Sequence, residues 1–91
     1  MGVKILAAED DDDVRRVVET KLGAEFEVET ARDGREAWTH LTEHQDDPPD
    51  LVVLDVMMPD LDGFSVLERI RNHDSLEDVP VLMLTSRSRE E

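Results

Sequence analysis

The sequence predicts an α/β fold, with a parallel sheet covered by helices on both faces. Three observations predict it. Short apolar runs alternate with stretches of helical periodicity, the elements follow the order β-α-β-α-β-α-β, and 91 residues leave room for a single domain. In such sheets, with right-handed crossovers, ligands bind beyond the carboxyl ends of the strands. We therefore expect the chemistry of this chain at its strand ends.

The first strand and the first helix are predicted for residues 3–8 and from residue 13 onward. The run 3–8 is apolar, begins with a β-branched residue and stops at Glu9, which favours a buried strand. The helix is predicted to be capped by Asp12 or Asp13 and to end at Gly23 in a left-handed stop. Its inward face has a spacing of three or four residues: Val14, Val17, Val18, Lys21 and Leu22.

The second strand and the second helix follow. Residues 26–30 alternate between apolar and polar, which is typical of a half-buried strand. Asp33, with Glu36 three residues later, predicts a capped helix that runs to about His44. The apolar face of this helix is thin: Ala37, Leu41 and Trp38.

Two further strands flank the third helix. After a proline-containing polar loop at 45–50, residues 51–54 are continuously apolar, as in a strand covered on both faces. Residues 81–84 form the fourth apolar run, which ends at Thr85. The helix that follows the loop 57–63 is predicted to turn four apolar residues inward: Phe64, Val66, Leu67 and Ile70.

Composition excludes several classes of function. Asp and Glu number 24 against 10 Lys and Arg, which argues against nucleic acid and anionic membranes as direct ligands, because both require cationic patches. No apolar run approaches the length of a membrane span, and the amino terminus has no signal pattern. The chain contains no cysteine and therefore no disulfide or thiolate metal site. We expect a soluble cytoplasmic domain that is compatible with binding a hard cation.

Acidic residues follow two of the predicted strands. Glu9 and Asp10 follow the first strand, Asp55 follows the third, and parallel strands open on the same edge. Three carboxylates that close cannot all stay ionised without compensation, and an oxygen-only site with few ligands suits Mg²⁺. Taken singly, the acidic run 9–13 fits a solvated helix start and Asp55 fits a loop cap. Their convergence favours a metal site, where a Thr85 hydroxyl could donate a hydrogen bond to an anionic oxygen.

Several segments resemble the receiver domain of two-component response regulators. The segment 51–63 is the most specific, because an apolar strand, Asp, Met-Pro and Asp-Gly occur in fixed register. The resemblance covers essentially the whole chain and implies a flavodoxin-like, doubly wound sheet with strand order 2-1-3-4-5. The matching segments are ILAAED (5–10), ARDGREA (31–37), LVVLDVMMPDLDG (51–63) and VPVLMLTS (79–86).

The resemblance implies a role for each strand-end residue. Asp55 would be the phosphoacceptor, taking the phosphoryl group from a phosphohistidine on a sensor histidine kinase or phosphotransfer protein. Asp10, Asp55 and the backbone carbonyl of Met57 would hold Mg²⁺, with Glu9 acting largely through a bound water. Thr85 would contact the phosphoryl group and move with it. The implied function is a signalling receiver that catalyses at most its own phosphorylation and dephosphorylation.

The chain departs from the family pattern at one residue and at its end. Glu9 stands where Asp is more usual, and no lysine follows Lys21, so the family's phosphate-pairing Lys is absent. The sequence stops at Glu91, before the last helix-strand-helix of the family, so the single receiver domain at 1–91 is expected to be incomplete. We then expect much of the surface of strands 1 (3–8) and 3 (51–54) to face water and strand 4 to have a bare edge. Dimerisation or a domain swap would cover both.

Two other functions stay open. A degenerate receiver would act as an interaction scaffold without phosphorylation, which the missing Lys favours. A Mg²⁺-dependent phosphohydrolase of similar fold would use Asp55 as a turnover nucleophile. That enzyme would need an acid two positions after the nucleophile, where Met57 stands, so the sequence counts against it.

Overall fold

Strands and helices alternate along the chain as predicted. The computed structural model describes residues 2–84. The strands are β1 (Lys4–Ala8), β2 (Glu27–Ala31), β3 (Leu51–Asp55) and β4 (Val81–Leu84), and the helices are α1 (Asp12–Gly23), α2 (Gly34–Glu43) and α3 (Gly63–Arg71). Within this part of the chain, no helix combines the length and the apolar character needed to cross a bilayer.

The sheet is parallel and doubly wound. Its order is β2-β1-β3-β4, and each neighbouring pair is parallel. The chain moves outward from β1 to β2 and then returns to the other side of β1, so the order reverses between β1 and β3. The carboxyl ends of these two strands therefore form the crevice in which this class of fold binds ligands. The described strands confirm the predicted fold class.

Alternating residues of the central strands face two separate cores. Leu6 and Ala8 of β1 lie on the face covered by α2 and α3, where Leu41 and Ile70 are fully buried. Ile5 of β1 lies on the opposite face, together with residues of α1 and β3. The second core is the smaller one: Ile5, Ala7 and Val53, with Val18, Leu22, Phe26, Val28, Leu51 and Leu84 packed around them.

Three predictions about helix faces are wrong. Phe64 is 59% exposed, because Val66 and Ile70, four residues apart, define the inward face of α3 and Phe64 lies nearly opposite Val66. Val17 and Lys21 are also exposed. The sheet-facing side of α1 is the narrower row Val14, Val18 and Leu22, which is partly buried.

The ends of α1 also differ from the prediction. Asp11, and not Asp12 or Asp13, is the N-cap, since its Oδ1 accepts hydrogen bonds from two backbone N–H groups of the first turn. Gly23 does not adopt a left-handed conformation, and Ala24 follows it with φ −68°. The backbone N–H of Phe26 bonds to Leu22 O at 2.9 Å, so the chain leaves the helix through a right-handed turn that needs no glycine.

The predicted exposure of β1 and β3 is wrong. Ile5, Ala7 and Val53 are each at most 5% exposed, because α1 and Phe26, which follows it, pack against that face. The exposure falls on β4 instead, where Leu82 is 51% exposed. Among residues 2–84, β4 pairs with β3 on one side and with no strand on the other.

Candidate metal and phosphoacceptor site

The strand register brings three acidic side chains together. Ala8 of β1 pairs with Leu54 of β3, so the next residues along each strand, Glu9 and Asp55, are neighbours. Glu9 N donates to Ala31 O at 3.0 Å, which extends the β1–β2 ladder past the end of β1. Carboxylate oxygens of Glu9, Asp10 and Asp55 all lie within 4.8 Å of one another. The structure thus joins residues that are 45 positions apart in the sequence.

Burial makes this cluster electrostatically costly. Glu9 is 2% exposed, Asp55 is 0% exposed, and Asp10 is half-buried. Burial raises the pKa of Glu9 from 4.5 to about 7, the Asp11 backbone N–H lowers it, and the neighbouring Asp55 and Asp10 carboxylates raise it further. At neutral pH Glu9 is therefore only partly ionised, and a bound cation would favour its ionised form.

The donor set fits a magnesium ion. Glu9 Oε1 is buried and has no hydrogen-bond partner within residues 2–84. Carboxylate oxygens are the ligands preferred by hard divalent cations, and Mg²⁺ usually binds through one or two carboxylates while it keeps several waters. A cation here would neutralise the repulsion and would provide Glu9 Oε1 with a positive partner.

The loop between β3 and α3 holds Asp55 in place. Met57 N donates to Asp55 Oδ1 at 3.2 Å, and Gly63 N donates to Val56 O at 3.1 Å. A Cβ at position 63 would collide with the backbone oxygen of Asp55, so only glycine allows α3 to begin this close to the strand end. The hydrogen bond from Met57 N places this residue beside the Asp55 carboxylate. The role of the Met57 carbonyl as a metal ligand stays a prediction.

The loop between β1 and α1 orients Glu9 and Asp10. Asp11 N donates to Glu9 Oε2 at 3.0 Å. Arg15 reaches back from α1, and its Nη1 donates to the backbone oxygen of Glu9 at 3.2 Å. Its Nη2 bonds to Asp12 Oδ1 at 2.6 Å.

Arg15 is the functional candidate that the sequence pattern missed. Arg15 is not among the residues of the predicted inward face of α1, yet its side chain is only 19% exposed. Its position held a partial signal: the helix dipole disfavours a cation near the helix N-terminus, so a compensating contact is favoured there. That contact is the strand-end carbonyl.

Thr85 lies outside the described residues. It follows Leu84, which pairs with Asp55 in the β3–β4 register, and Val56 N donates to Leu84 O at 3.0 Å. Its predicted contact with a phosphoryl group stays a prediction.

The sheet is parallel and doubly wound, and three carboxylates lie where its strand order reverses. These features define a class of α/β domains that bind charged ligands at the strand ends. Within that class, the family model of the response regulator receiver domain matches residues 5–91. The chain belongs to this family. It is therefore a signalling receiver domain of two-component systems.

Relatives and solved structures support this assignment. A "Probable transcriptional regulator ycf27" of Cyanophora paradoxa is 48% identical over 84 residues, which cover 91% of this chain and 33% of that protein. The structure of chemotaxis protein CheY4 of Vibrio cholerae has 36% identity and a TM-score of 0.83, and the match covers 98% of this chain and 72% of that one. The phosphorylated cyanobacterial phytochrome response regulator RcpA has 31% identity and a TM-score of 0.86, with 98% and 69% covered. The chain spans about a third of the curated relative's length.

Proposed function

We propose that this receiver accepts a phosphoryl group on Asp55 while Glu9, Asp10, Asp55 and the Met57 carbonyl hold Mg²⁺. The observation that carries the proposal is the gathering of three carboxylates within 4.8 Å at the reversal of strand order. Mg²⁺ supplies charge neutralisation for an anionic nucleophile that meets an anionic phosphoryl group. A solved relative with a TM-score of 0.86 is itself described as phosphorylated, which supports the same chemistry here.

The transfer step uses the Asp55 carboxylate as the nucleophile. A carboxylate oxygen forms the new O–P bond as the P–N bond of a phosphohistidine breaks. The electron pair of that bond stays on the histidine nitrogen, and the donor imidazole, protonated on its other nitrogen, leaves as a neutral ring. The bond from Met57 N–H to Asp55 Oδ1 orients the carboxylate, so that little reorganisation is needed before attack. The product is an acyl phosphate.

Phosphorylation of Asp55 then changes the surface that this chain presents to a partner, through a local change in charge. A phosphoryl group replaces one negative charge by about two and adds oxygen acceptors. Thr85, which follows Leu84 in the sequence, would donate a hydrogen bond from its hydroxyl to a phosphoryl oxygen, and the chain around it would move. The output that this switch would control is also part of the proposal, since the Cyanophora paradoxa relative is about three times as long as the matched segment.

Acetyl phosphate tests the acceptor. We expect the wild-type protein, incubated with acetyl phosphate and Mg²⁺, to gain the mass of one phosphoryl group, and Asp55→Asn to gain none. Asp60→Asn is the matched control, because it removes the same charge from the same loop, and Asn tolerates the positive φ of 66° found there. An adduct on Asp55→Asn would move the acceptor elsewhere. No adduct on the wild type would favour the scaffold, and rapid multiple turnover would favour the phosphohydrolase.

The proposed partners are a sensor histidine kinase or phosphotransfer protein, in the cytoplasm, and a second copy of this chain. The outer edge of β4 is unpaired among residues 2–84, and Leu82 beside it is 51% exposed, so strand pairing between two copies would cover both. Light scattering should show dimers for the wild type and a larger monomer fraction for Leu82→Lys. A strictly monomeric wild type with cooperative unfolding would contradict self-association.

A further inference from the structure

Arg15 holds the peptide group that joins two of the acidic residues. Its Nη1 bonds to the backbone oxygen of Glu9, and this carbonyl belongs to the peptide bond between Glu9 and Asp10. Because a peptide group is planar, a bond to its oxygen also restrains the orientation of the Asp10 N–H and of the Cα atoms on both sides. Arg15 therefore restrains the backbone from which both carboxylates project.

The guanidinium is itself held in place. Nη2 bonds to Asp12 Oδ1 at 2.6 Å, so the planar group is fixed at both ends, by the helix and by the strand end. Its side chain is 19% exposed, whereas that of Asp12 is 76% exposed. An arginine that is restrained and mostly buried can direct a backbone carbonyl, which a solvated side chain cannot do.

We propose that Arg15 is a positioning residue for cation binding, because it holds the Glu9–Asp10 peptide so that both carboxylates point into one site. This inference rests on the proposed Mg²⁺ site. Arg15 is not itself a metal ligand. Its loss would therefore loosen the ligands without removing one.

The two possible roles of Arg15, as a nearby positive charge or as a positioning residue, predict opposite changes in Mg²⁺ affinity when it is removed. If Arg15 acted only as a nearby positive charge, its removal would make the site more negative and strengthen Mg²⁺ binding. If it positions the ligands, its removal weakens binding even though a repulsive charge is lost. The direction of the change in affinity therefore separates the two roles.

Arg16 provides a matched control. It is the next residue of α1, and its Nη1 lies 3.7 Å from Asp13 Oδ1, with the same spacing of three residues as the Arg15–Asp12 pair. Its side chain is 74% exposed, and within residues 2–84 the structure shows this ion pair for it. Arg16→Met removes the same charge from the same helix turn without touching the strand end.

The experiment measures the Mg²⁺ dissociation constant by isothermal titration calorimetry at one pH and ionic strength, with no phosphodonor. We expect Arg15→Met to bind Mg²⁺ about 10-fold more weakly than the wild type. Arg16→Met should stay within about twofold of the wild type or bind more tightly, because screening limits an exposed charge. An affinity of Arg15→Met equal to or higher than that of Arg16→Met would overturn the inference. A wild type that binds no Mg²⁺ would overturn the metal site itself, which is a distinguishable failure.

A second readout follows the backbone directly. The Asp11 N–H, which donates to Glu9 Oε2, should exchange with solvent faster in Arg15→Met than in Arg16→Met without Mg²⁺. Equal exchange rates would contradict positioning. If Arg15→Met does not fold, the pair Arg15→Lys and Arg16→Lys carries the test, since both keep the charge. Lysine lacks the planar fork, so Arg15→Lys should bind Mg²⁺ several-fold more weakly than Arg16→Lys, and equal affinities would overturn the inference.

Discussion

Replacing Glu9 by glutamine should change how the stability of the metal-free protein depends on pH. The pKa of Glu9 rises from 4.5 to about 7, mainly through burial. Between pH 4.5 and about pH 7, Glu9 is protonated in the folded state and ionised in the unfolded state. The resulting stabilisation is fully present below pH 4.5 and is lost as the pH rises through about 7.

The magnitude follows from the two pKa values. At about 1.4 kcal/mol for each pKa unit, the ionisation of buried Glu9 costs at most about 3 kcal/mol of folding free energy. Between about pH 5 and about pH 8, some 2 to 3 kcal/mol of this should be lost by the wild type. The amide of Glu9→Gln does not titrate in this range, so the variant should not show that loss.

His40 acts in the opposite direction in the same pH range. Burial, followed by the nearby His44, lowers the pKa of His40 below 6.5, so its contribution to stability is lost as the pH falls through that lowered value. Both the wild type and Glu9→Gln contain His40. The difference between their free energies of unfolding therefore isolates Glu9.

Urea unfolding in the presence of a chelator, at several pH values, measures this difference. The free energy of unfolding of Glu9→Gln minus that of the wild type should rise by about 2 to 3 kcal/mol from pH 5 to pH 8. Glu25→Gln, at an exposed glutamate, is the control and should show no such rise. If the free energy of unfolding of Glu9→Gln minus that of the wild type stays constant with pH, the conclusion that burial raises the pKa of Glu9 is refuted. Mg²⁺ should stabilise the wild type more than Glu9→Gln, because the variant lacks one of the three carboxylates.

Three further predictions concern the support of the site. Gly34→Ala should destabilise the fold by about 2 kcal/mol or more, because the new Cβ would collide with the Leu61 carbonyl; urea unfolding checks it, and a neutral result would show that the loop can shift. Asp33→Ala should cost about 1 kcal/mol, since Asp33 Oδ1 caps α2 by accepting from Glu36 N at 2.8 Å; an unchanged melting temperature would contradict this. Leu54→Ala should cost about 3 kcal/mol, because Leu54 is fully buried in the core between the sheet and helices α2 and α3; a loss below about 1 kcal/mol in chemical denaturation would contradict the packing.

Much of the fold follows from local patterns. The apolar runs at 51–54 and 81–84 predicted β3 and β4 nearly to the residue. β3 is buried on both faces, as a continuous apolar run indicates, whereas β4 is only partly buried. The Asp33 cap was also predicted, since its hydrogen bond spans only three residues. The face of a short helix was harder to predict. Phe64 is apolar but exposed, because apolar character alone does not state which side meets the sheet.

The sequence by itself determined the order of the elements, because hydrophobic periodicity reveals it. It also determined that Glu9, Asp10 and Asp55 meet, because they follow parallel strands whose carboxyl ends open on one edge. Only the tertiary structure decided that Arg15 turns back to the Glu9 carbonyl. It also decided that the cluster is buried enough to raise the pKa of Glu9 to about 7. The physical reason is that side-chain direction and desolvation depend on which surfaces come into contact, and no local pattern encodes that contact.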